Sequence, residues 1–357
     1  MDTWGYDDLA CAGFIIQSMN IQQTPLPNFF DPQKLNTHWR VDYAARASEA
    51  REWSRLHGLH PAAKDSKKIW LLLIDVQNTF CLPDFELFVG GRDGRGAVDD
   101  NRRLCEFIYR NLGHISRITA TLDTHRAMQI FHPIFLVDSA GEHPAPFSLV
   151  TRADLEAGRW KFNPALADEF NISAEYGHER LVHYASALEK NGKLALTIWP
   201  YHAMLGGVGH ALVSCVEEAL FFHSIARLAP TQFELKGDRP FTENYSAIGP
   251  EVTVGPRGEV LGEHNSKFIE TLKEVDVLII AGQAKSHCVA WTVADLLNDI
   301  TAADSSLAQK IYLLEDCTSP VVVPGLDYTD AADEAFAKFA QAGMHRVKST
   351  DDFWAQI

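Results

Sequence analysis

The sequence predicts an α/β fold: a doubly wound (Rossmann-like) three-layer sandwich with a mostly parallel six-stranded sheet. Three features carry that expectation. From residue 69 onward, six apolar runs of strand length recur, of the kind buried on both faces in parallel sheets. Helix-like segments lie between them, and such alternation builds a sheet covered by helices on both sides. Several runs end in a polar side chain able to do chemistry, and in these sheets ligands bind outside the carboxyl ends of the strands.

Taken in order, residues 1–65 read as an extension. It carries Pro25, Pro27 and Pro32, then a helical stretch over 41–56 (VDYAARASEAREWSRL); a polar break, KDSKK (64–68), follows. One α/β domain follows over residues 66–357. Its strands are IWLLLID (69–75), ISRITATLD (115–123), KLALTIW (193–199), TQFELK (231–236), VDVLIIAG (275–282) and KIYLLED (310–316). Helices are expected over 97–113, 207–226, 264–273, 287–300 and 329–343. The stretch 138–192 breaks the alternation. It is polar, with scattered His and Pro and a helix over 179–190, and reads as an insertion over the sheet edge or over the site.

The chain has 357 residues, 46% hydrophobic and 22% charged, which is globular composition with enough length for a large core. Asp and Glu number 47 against 32 Lys and Arg, a formal net charge of −15, and this argues against a nucleic-acid partner, which needs a basic face. No run of 18 apolar residues occurs, so no membrane span is expected. The first residues, MDTWGYDDLACAGF, hold acids where a signal peptide needs cations, and the expected location is cytoplasmic. Six scattered cysteines (Cys11, Cys81, Cys105, Cys215, Cys288, Cys317) contain no C-x-x-C pair, so they form neither a disulfide framework nor a zinc-finger pattern.

The residues at the strand ends fall into two groups. Cys288 opens an apolar helix, where the helix dipole favours thiolate. Lys236, at the end of TQFELK, would lower the thiol further, and Asp75, at the end of the first strand, would shuttle its proton. The amides of the turn before Cys288 would face a developing oxyanion. Taken singly, Cys288 also reads as a small buried residue, Asp75 as a loop cap and Lys236 as a solvated lysine. The second group is a metal site: Asp123 and His125 at one strand end, His202 at another. Asp/His ligation suits Zn2+, Fe2+ or Mn2+. His132 lies seven residues past His125 and is a further candidate, although a hydrogen-bonded structural role is its simpler reading. His143, His178, His183 and His210 read as surface or loop histidines.

These residues resemble, in order and local context, the nicotinamidase branch of the isochorismatase-like cysteine hydrolases. IDVQNTF resembles the family's I-D-x-Q-N-x-F, which implies Asp75 as catalytic acid and Phe80 against the substrate ring. LDTH resembles its D-x-H metal pair (Asp123, His125), and WPYH its W-P-x-H, implying a ligand at His202 and a pocket aromatic at Trp199. LKG and ENYSAI resemble K-G and S-Y-S-A-F, implying a catalytic lysine at Lys236 and a pocket position at Tyr245. AGQAKSHCVAWTVADL resembles G-x-A-T-D-x-C-V-x-x-T-A-x-D-A, implying the nucleophile at Cys288, a cis bond at Gln283–Ala284, and an oxyanion hole from the Ala284 and Cys288 amides. The likeness covers roughly residues 68 to 350. Isochorismatase-type members lack the metal pair, so its presence points to the nicotinamidase side.

The resemblance implies a metal-dependent cysteine amidohydrolase. Its substrate would be a small, heteroaromatic carboxamide, hydrolysed to the acid and ammonia through a Cys thioester. One divalent ion, Zn2+ first among candidates, would orient the ring, and a homo-oligomer is in keeping with the family. Three other readings stand beside it: a hydrolase of the same fold acting on a ureido, carbamoyl or maleamate-like bond; a binding protein on a retired enzyme fold; and a metallohydrolase whose nucleophile is metal-bound hydroxide. The chain departs from the family pattern at Lys285-Ser286, where T-D is usual. Lys285 there either competes with Lys236 for the thiolate or points to solvent. The loops after His202 and the 77-residue spacing between His125 and His202 also differ, and both bear on the pocket.

Overall fold

The computed structural model describes residues 23–354; the part of the extension before residue 23, Cys11 included, lies outside them. Six strands form one sheet: β1 (Ile69–Ile74), β2 (Arg117–Asp123), β3 (Gln232–Lys236), β4 (Val277–Gly282), β5 (Ile311–Leu314) and β6 (His345–Val347). Their order is β3-β2-β1-β4-β5-β6 and every neighbouring pair is parallel. That order is the doubly wound one, with its direction of winding reversing between β1 and β4.

The apolar runs are continuous because the inner strands are covered twice. All six residues of β1 are buried. Ile69, Leu71 and Leu73 enter one core, and Trp70, Leu72 and Ile74 enter the other. The first core is closed by α2 (Gly96–Arg110) and α4 (Ser214–Arg227), with α1 (Tyr43–Leu56) packed outside α4. The second is closed by α5 (Lys267–Glu274), α6 (Ala290–Ala303) and α7 (Thr329–Gln341). Among the described residues, no helix is long and apolar enough to cross a membrane.

Two of the six expected strands behave differently. KLALTIW does not join the sheet. Only Leu196–Thr197 pair, antiparallel, with Leu149–Val150 of the insertion. Ile198 and Trp199 are buried, but their amides bond Ser148 O and Phe131 O, so burial on both sides here comes from loops. The sixth sheet member is instead the short edge strand β6, whose sequence His-Arg-Val gives no apolar run. TQFELK is a strand, but it forms the opposite edge, and Phe233 and Leu235 are 52% and 62% exposed. The expected helix over 207–226 starts only at Ser214, because Gln77 and Asn78 hold the preceding loop through His210 O (2.9 Å) and Val208 O (2.8 Å).

The insertion contributes α3 (Ala174–Lys190), which braces the segment after β3. The Tyr184 hydroxyl accepts from Glu243 N, Arg180 pairs with Glu259 at 2.8 Å, and Lys193 beyond the helix pairs with buried Glu251 at 3.3 Å. The extension is also tied down. Trp39 N donates to Ser214 Oγ at 2.8 Å, and Asp65 pairs with Arg227, a fully buried guanidinium that also donates to Leu112 O at 2.7 Å. Breaking one side of a buried ion pair leaves an uncompensated charge, so Asp65→Ala is expected to destabilise the protein by about 3–5 kcal/mol in denaturant titrations, with most of the loss recovered in an Asp65→Leu/Arg227→Met double variant. A loss below about 1 kcal/mol would show that Arg227 does not depend on this partner.

Candidate active site

The winding reverses between β1 and β4, so the chain leaving β1 goes to one face of the sheet and the chain leaving β4 to the other. A crevice opens between them. β1 ends at fully buried Asp75, whose φ of 48° is a left-handed conformation that a non-glycine residue rarely adopts. Its amide donates to Thr121 Oγ1 at 3.0 Å, and the Thr121 hydroxyl donates to Asp75 Oδ1 at 2.6 Å. β4 ends at Gly282, with φ 119°; a Cβ there would lie 2.1 Å from Ile74 O, so only glycine lets the two strand ends come this close. The Gln283–Ala284 peptide is cis. The Gln283 side chain donates to Asp100 Oδ2 at 2.9 Å and accepts from Ser319 N at 3.2 Å, which anchors the turn. A π-helical turn over Lys285–Val289 then carries Cys288 into α6.

Lys236 ends β3 and is the hub of the crevice. Its Nζ lies 2.9 Å from Asp75 Oδ2, 3.0 Å from Asp123 Oδ1, 2.8 Å from Asn244 O and 3.6 Å from Cys288 Sγ. Asp123 and Lys236 are register partners across β2 and β3, so the sheet itself sets their contact. Burial works against the ammonium, but Asp123 and Asp75 outweigh it and hold the Lys236 pKa well above its ordinary value. The expectation of a resting thiolate is corrected here. Burial pushes the Cys288 thiol well up; Lys236 opposes this, while Asp75 and Asp123 reinforce it. Burial and the two acids outweigh the one cation, which favours the thiol over the thiolate. Burial also raises the Asp75 pKa, against the pull of Lys236, so this carboxylate is a better proton acceptor than a free one.

Lys285, three residues before Cys288, turns away from it. Its Nζ pairs with Asp333 on α7 and lies 4.7 Å from the centre of the Phe336 ring. It neither competes with Lys236 nor extends freely into solvent.

On the far side of Asp123, the ring nitrogens of His125, His132 and His202 lie within 4.8 Å of one another, all three residues buried. His125 Nε2 is 3.1 Å from Asp123 Oδ1, and His202 Nε2 is 3.8 Å from Asp123 Oδ2. The Nδ1 atoms of His132 and His202 face backbone carbonyls, Ala127 O at 3.2 Å and Pro200 O at 2.7 Å, which leaves each Nε2 as the free lone pair. His132 Nε2 and both ring nitrogens of His125 are buried without a hydrogen-bond partner. Burial, with His125 beside them, pushes His132 down to about 3 and His202 well below its ordinary value, so both are neutral, whereas Asp123 outweighs burial at His125 and holds it above its ordinary value. These orphaned donors fit a divalent ion. The fold thus sets His132, hydrogen-bonded through Nδ1 to Ala127 O, with its unpartnered Nε2 beside the other two imidazoles. Its loop position gave no periodic signal, and only the fold brings it to the other two. Gly237, with φ 87°, lets the chain pass this close: a Cβ there would sit 2.7 Å from Asp123 Oδ1. Gln77 stitches the same region, donating to Asp123 O and accepting from Asp123 N, both at 2.8 Å.

Phe80, Trp199 and Tyr245 line a narrow cleft above Cys288 and Ala284, about 380 Å³ counted out to its solvent mouth. Trp199 Nε1 donates to the Tyr245 hydroxyl at 3.0 Å, fixing both rings. Leu87, Val89 and Val321 complete the apolar walls, and His287 and Glu243 supply polar groups. None of these five was singled out from the sequence. Glu243, pushed to about 7 chiefly by burial, lies 3.9 Å from His125 Nε2; it stands directly before the Asn244-Tyr245 pair, the one signal that could have drawn attention to it.

No family model and no curated protein sequence matches the chain. Among solved structures it is similar to the nicotinamidase/pyrazinamidase of Acinetobacter baumanii, with 17% identity, 81% of this chain and 99% of that one covered, and a TM-score of 0.47. It is similar to yeast nicotinamidase bound to the inhibitor nicotinaldehyde (17% identity, 78% and 99% covered, TM-score 0.48). It is also similar to the pyrazinamidase of Pyrococcus horikoshii in complex with zinc (17% identity, 79% and 99% covered, TM-score 0.41).

If the three imidazoles act as one ligand set, His132→Ala weakens metal affinity at least about tenfold in a chelator-competition titration with Zn2+. Equal affinity in variant and wild type would remove His132 from the set.

Proposed function

We propose that this protein is a cysteine amidohydrolase that converts a small, planar, heteroaromatic carboxamide to the carboxylic acid and ammonia. The observation that carries this reading is Lys236 Nζ lying 2.9 Å from the carboxylate of Asp75 and 3.6 Å from the sulfur of Cys288, at the floor of an aromatic-walled cleft. A nucleophile, a base and a cation between them are the parts that covalent hydrolysis needs.

The chemistry follows from the protonation states. Cys288 holds its proton until substrate is in place. As Sγ bonds to the amide carbon, the proton passes to Asp75, and Lys236 balances the charge that moves. The carbonyl oxygen takes up the negative charge against the backbone N–H groups of Ala284 and Cys288. Asp75 returns the proton to the leaving nitrogen, the C–N bond breaks, and ammonia departs. Water then attacks the thioester while Asp75 accepts its proton; the acid leaves and the thiol is restored. His125, His132 and His202, with Asp123 beside them, would hold a divalent ion such as Zn2+, Fe2+ or Mn2+, which would supply Lewis acidity toward a substrate lone pair. Phe80 and Trp199 then flank the ring, and holding it in place is a large part of the rate gain. The five described cysteines are free, which suits a reducing, cytoplasmic compartment.

Cys288→Ala is expected to abolish ammonia release from nicotinamide or pyrazinamide while leaving metal content unchanged. Persistent release would remove the proposal. Inert aromatic amides alongside turnover of a linear carbamoyl or ureido compound would move the substrate to the alternative class. Asp75→Asn separates the two roles of that carboxylate. Removing a charge that raises the thiol pKa makes Cys288 alkylation by iodoacetamide several-fold faster at pH 8, while loss of the base lowers turnover by about 10²-fold or more. Alkylation and turnover falling together would show that Asp75 does not hold the thiol in its protonated state.

A further inference from the structure

We infer that Asp100 and Gln283 are positioning residues for the amide chemistry: the buried carboxylate holds the Gln283 side chain, and Gln283 in turn aims the backbone N–H of Ala284 at the oxygen of the substrate carbonyl. The inference rests on the amidase reading above and extends it to residues that do not touch the reacting atoms.

Gln283 stands between the end of β4 and Ala284, whose N–H is one of the two proposed oxyanion donors. It is held at its backbone and at both ends of its side chain. Its amide donates to Ile74 O at 2.7 Å, its Nε2 donates to Asp100 Oδ2 at 2.9 Å, and its Oε1 accepts from Ser319 N at 3.2 Å. The same Ser319 accepts from Lys285 N through its carbonyl at 2.8 Å, so Ala284 lies between two residues held by one neighbour. Asp100 is fixed as firmly from α2. Its Oδ1 accepts from Arg103 at 2.8 Å, and the Ser319 hydroxyl also donates to it. Gly96 at the start of α2 makes room for this contact, because a Cβ there would lie 2.5 Å from Ser319 Oγ.

Asp100 and Gln283 are both buried. Burial raises the Asp100 pKa to about 6 against the pull of Ser319, Gln283 and Arg103, so the group is charged at neutral pH and its bonds are charge-assisted. A well-packed apolar group would fill such a place at lower cost than a buried charge. What the polar pair adds is direction: a hydrogen bond fixes an angle as well as a distance. Direction matters at Ala284, because an oxyanion donor is effective only where it points at the oxygen as charge develops there. Neither Asp100 nor Gln283 lines the cleft, so their effect on the reaction passes through the turn.

The test is Gln283→Met, which keeps the side-chain length and removes both side-chain bonds. With nicotinamide or pyrazinamide, kcat should fall about 10- to 100-fold while KM stays within about twofold. Nicotinaldehyde supplies a second readout. Its carbonyl carbon bonds to Sγ of Cys288, the thiol proton ends on its oxygen, and that oxygen takes the oxyanion position. Its inhibition constant should rise in Gln283→Met by about the factor by which kcat falls. Alkylation of Cys288 by iodoacetamide, which builds no oxyanion, and Zn2+ affinity should both stay within about twofold of wild type. Asp100→Asn, which leaves Gln283 an acceptor without the charge, should lower kcat and aldehyde affinity together by about three- to tenfold, and it serves where Gln283→Met does not fold. Unchanged kcat and aldehyde affinity in these variants, or alkylation falling along with them, overturns the inference. Wild type that hydrolyses no amide but forms the aldehyde adduct, with the adduct weakened in Gln283→Met, sinks the amidase reading and leaves the positioning role. Amide turnover that neither variant alters sinks only the role of the pair.

Discussion

The site depends on one ammonium group. Asp75, Asp123 and the sulfur of Cys288 are drawn together inside the protein, where two carboxylates would repel each other with little solvent to screen them. Lys236 touches all three and makes the cluster tenable. Burial, reinforced by the two carboxylates and opposed by this ammonium, favours the thiol form of Cys288. A buried thiol beside a carboxylate of raised basicity differs from a standing thiolate, and the proposed chemistry starts from that state.

Asp123 joins the two halves of the site. One carboxylate oxygen accepts from Lys236 and faces His125, and the other faces His202. The Asp75–Lys236–Cys288 cluster and the imidazole cluster are therefore electrostatically one object. The sheet enforces this, since Asp123 and Lys236 are paired in register at the ends of adjacent parallel strands. The crevice is open because the winding reverses between β1 and β4, and it is tight because Gly282 lets those strands meet without a side chain. Around this rigid floor the insertion acts as a brace: α3 holds the segment that carries Glu243 and Tyr245, and so shapes the wall of the cleft from outside the sheet.

Much of this was readable along the chain. The runs that became β1, β2, β4 and β5 are apolar because both faces are covered, and their terminal residues announce a site because parallel strands all end on one side. KLALTIW shows the limit of that signal. It is equally apolar, yet loops and not helices bury it, and a run of burial does not name its hydrogen-bond partner. β6 was invisible for the opposite reason, a polar edge strand needing no apolar pattern. Among the histidines, the D-x-H and W-P-x-H motifs drew attention to His125 and His202, whereas His132 lies in irregular chain whose path no local spacing fixes.

The amino-acid sequence by itself determined the strand–helix alternation, the chemical types gathered at the strand ends, and the family they resemble, because each of these is written within a few neighbouring residues. Only the tertiary structure decided that burial favours the Cys288 thiol, that Lys285 turns to Asp333, that a third imidazole lies beside the other two and that His287 Nε2 is buried without a partner. Those outcomes depend on burial and on distances between residues far apart in the chain. Electrostatics and hydrogen bonding act across space, and no local pattern contains that geometry.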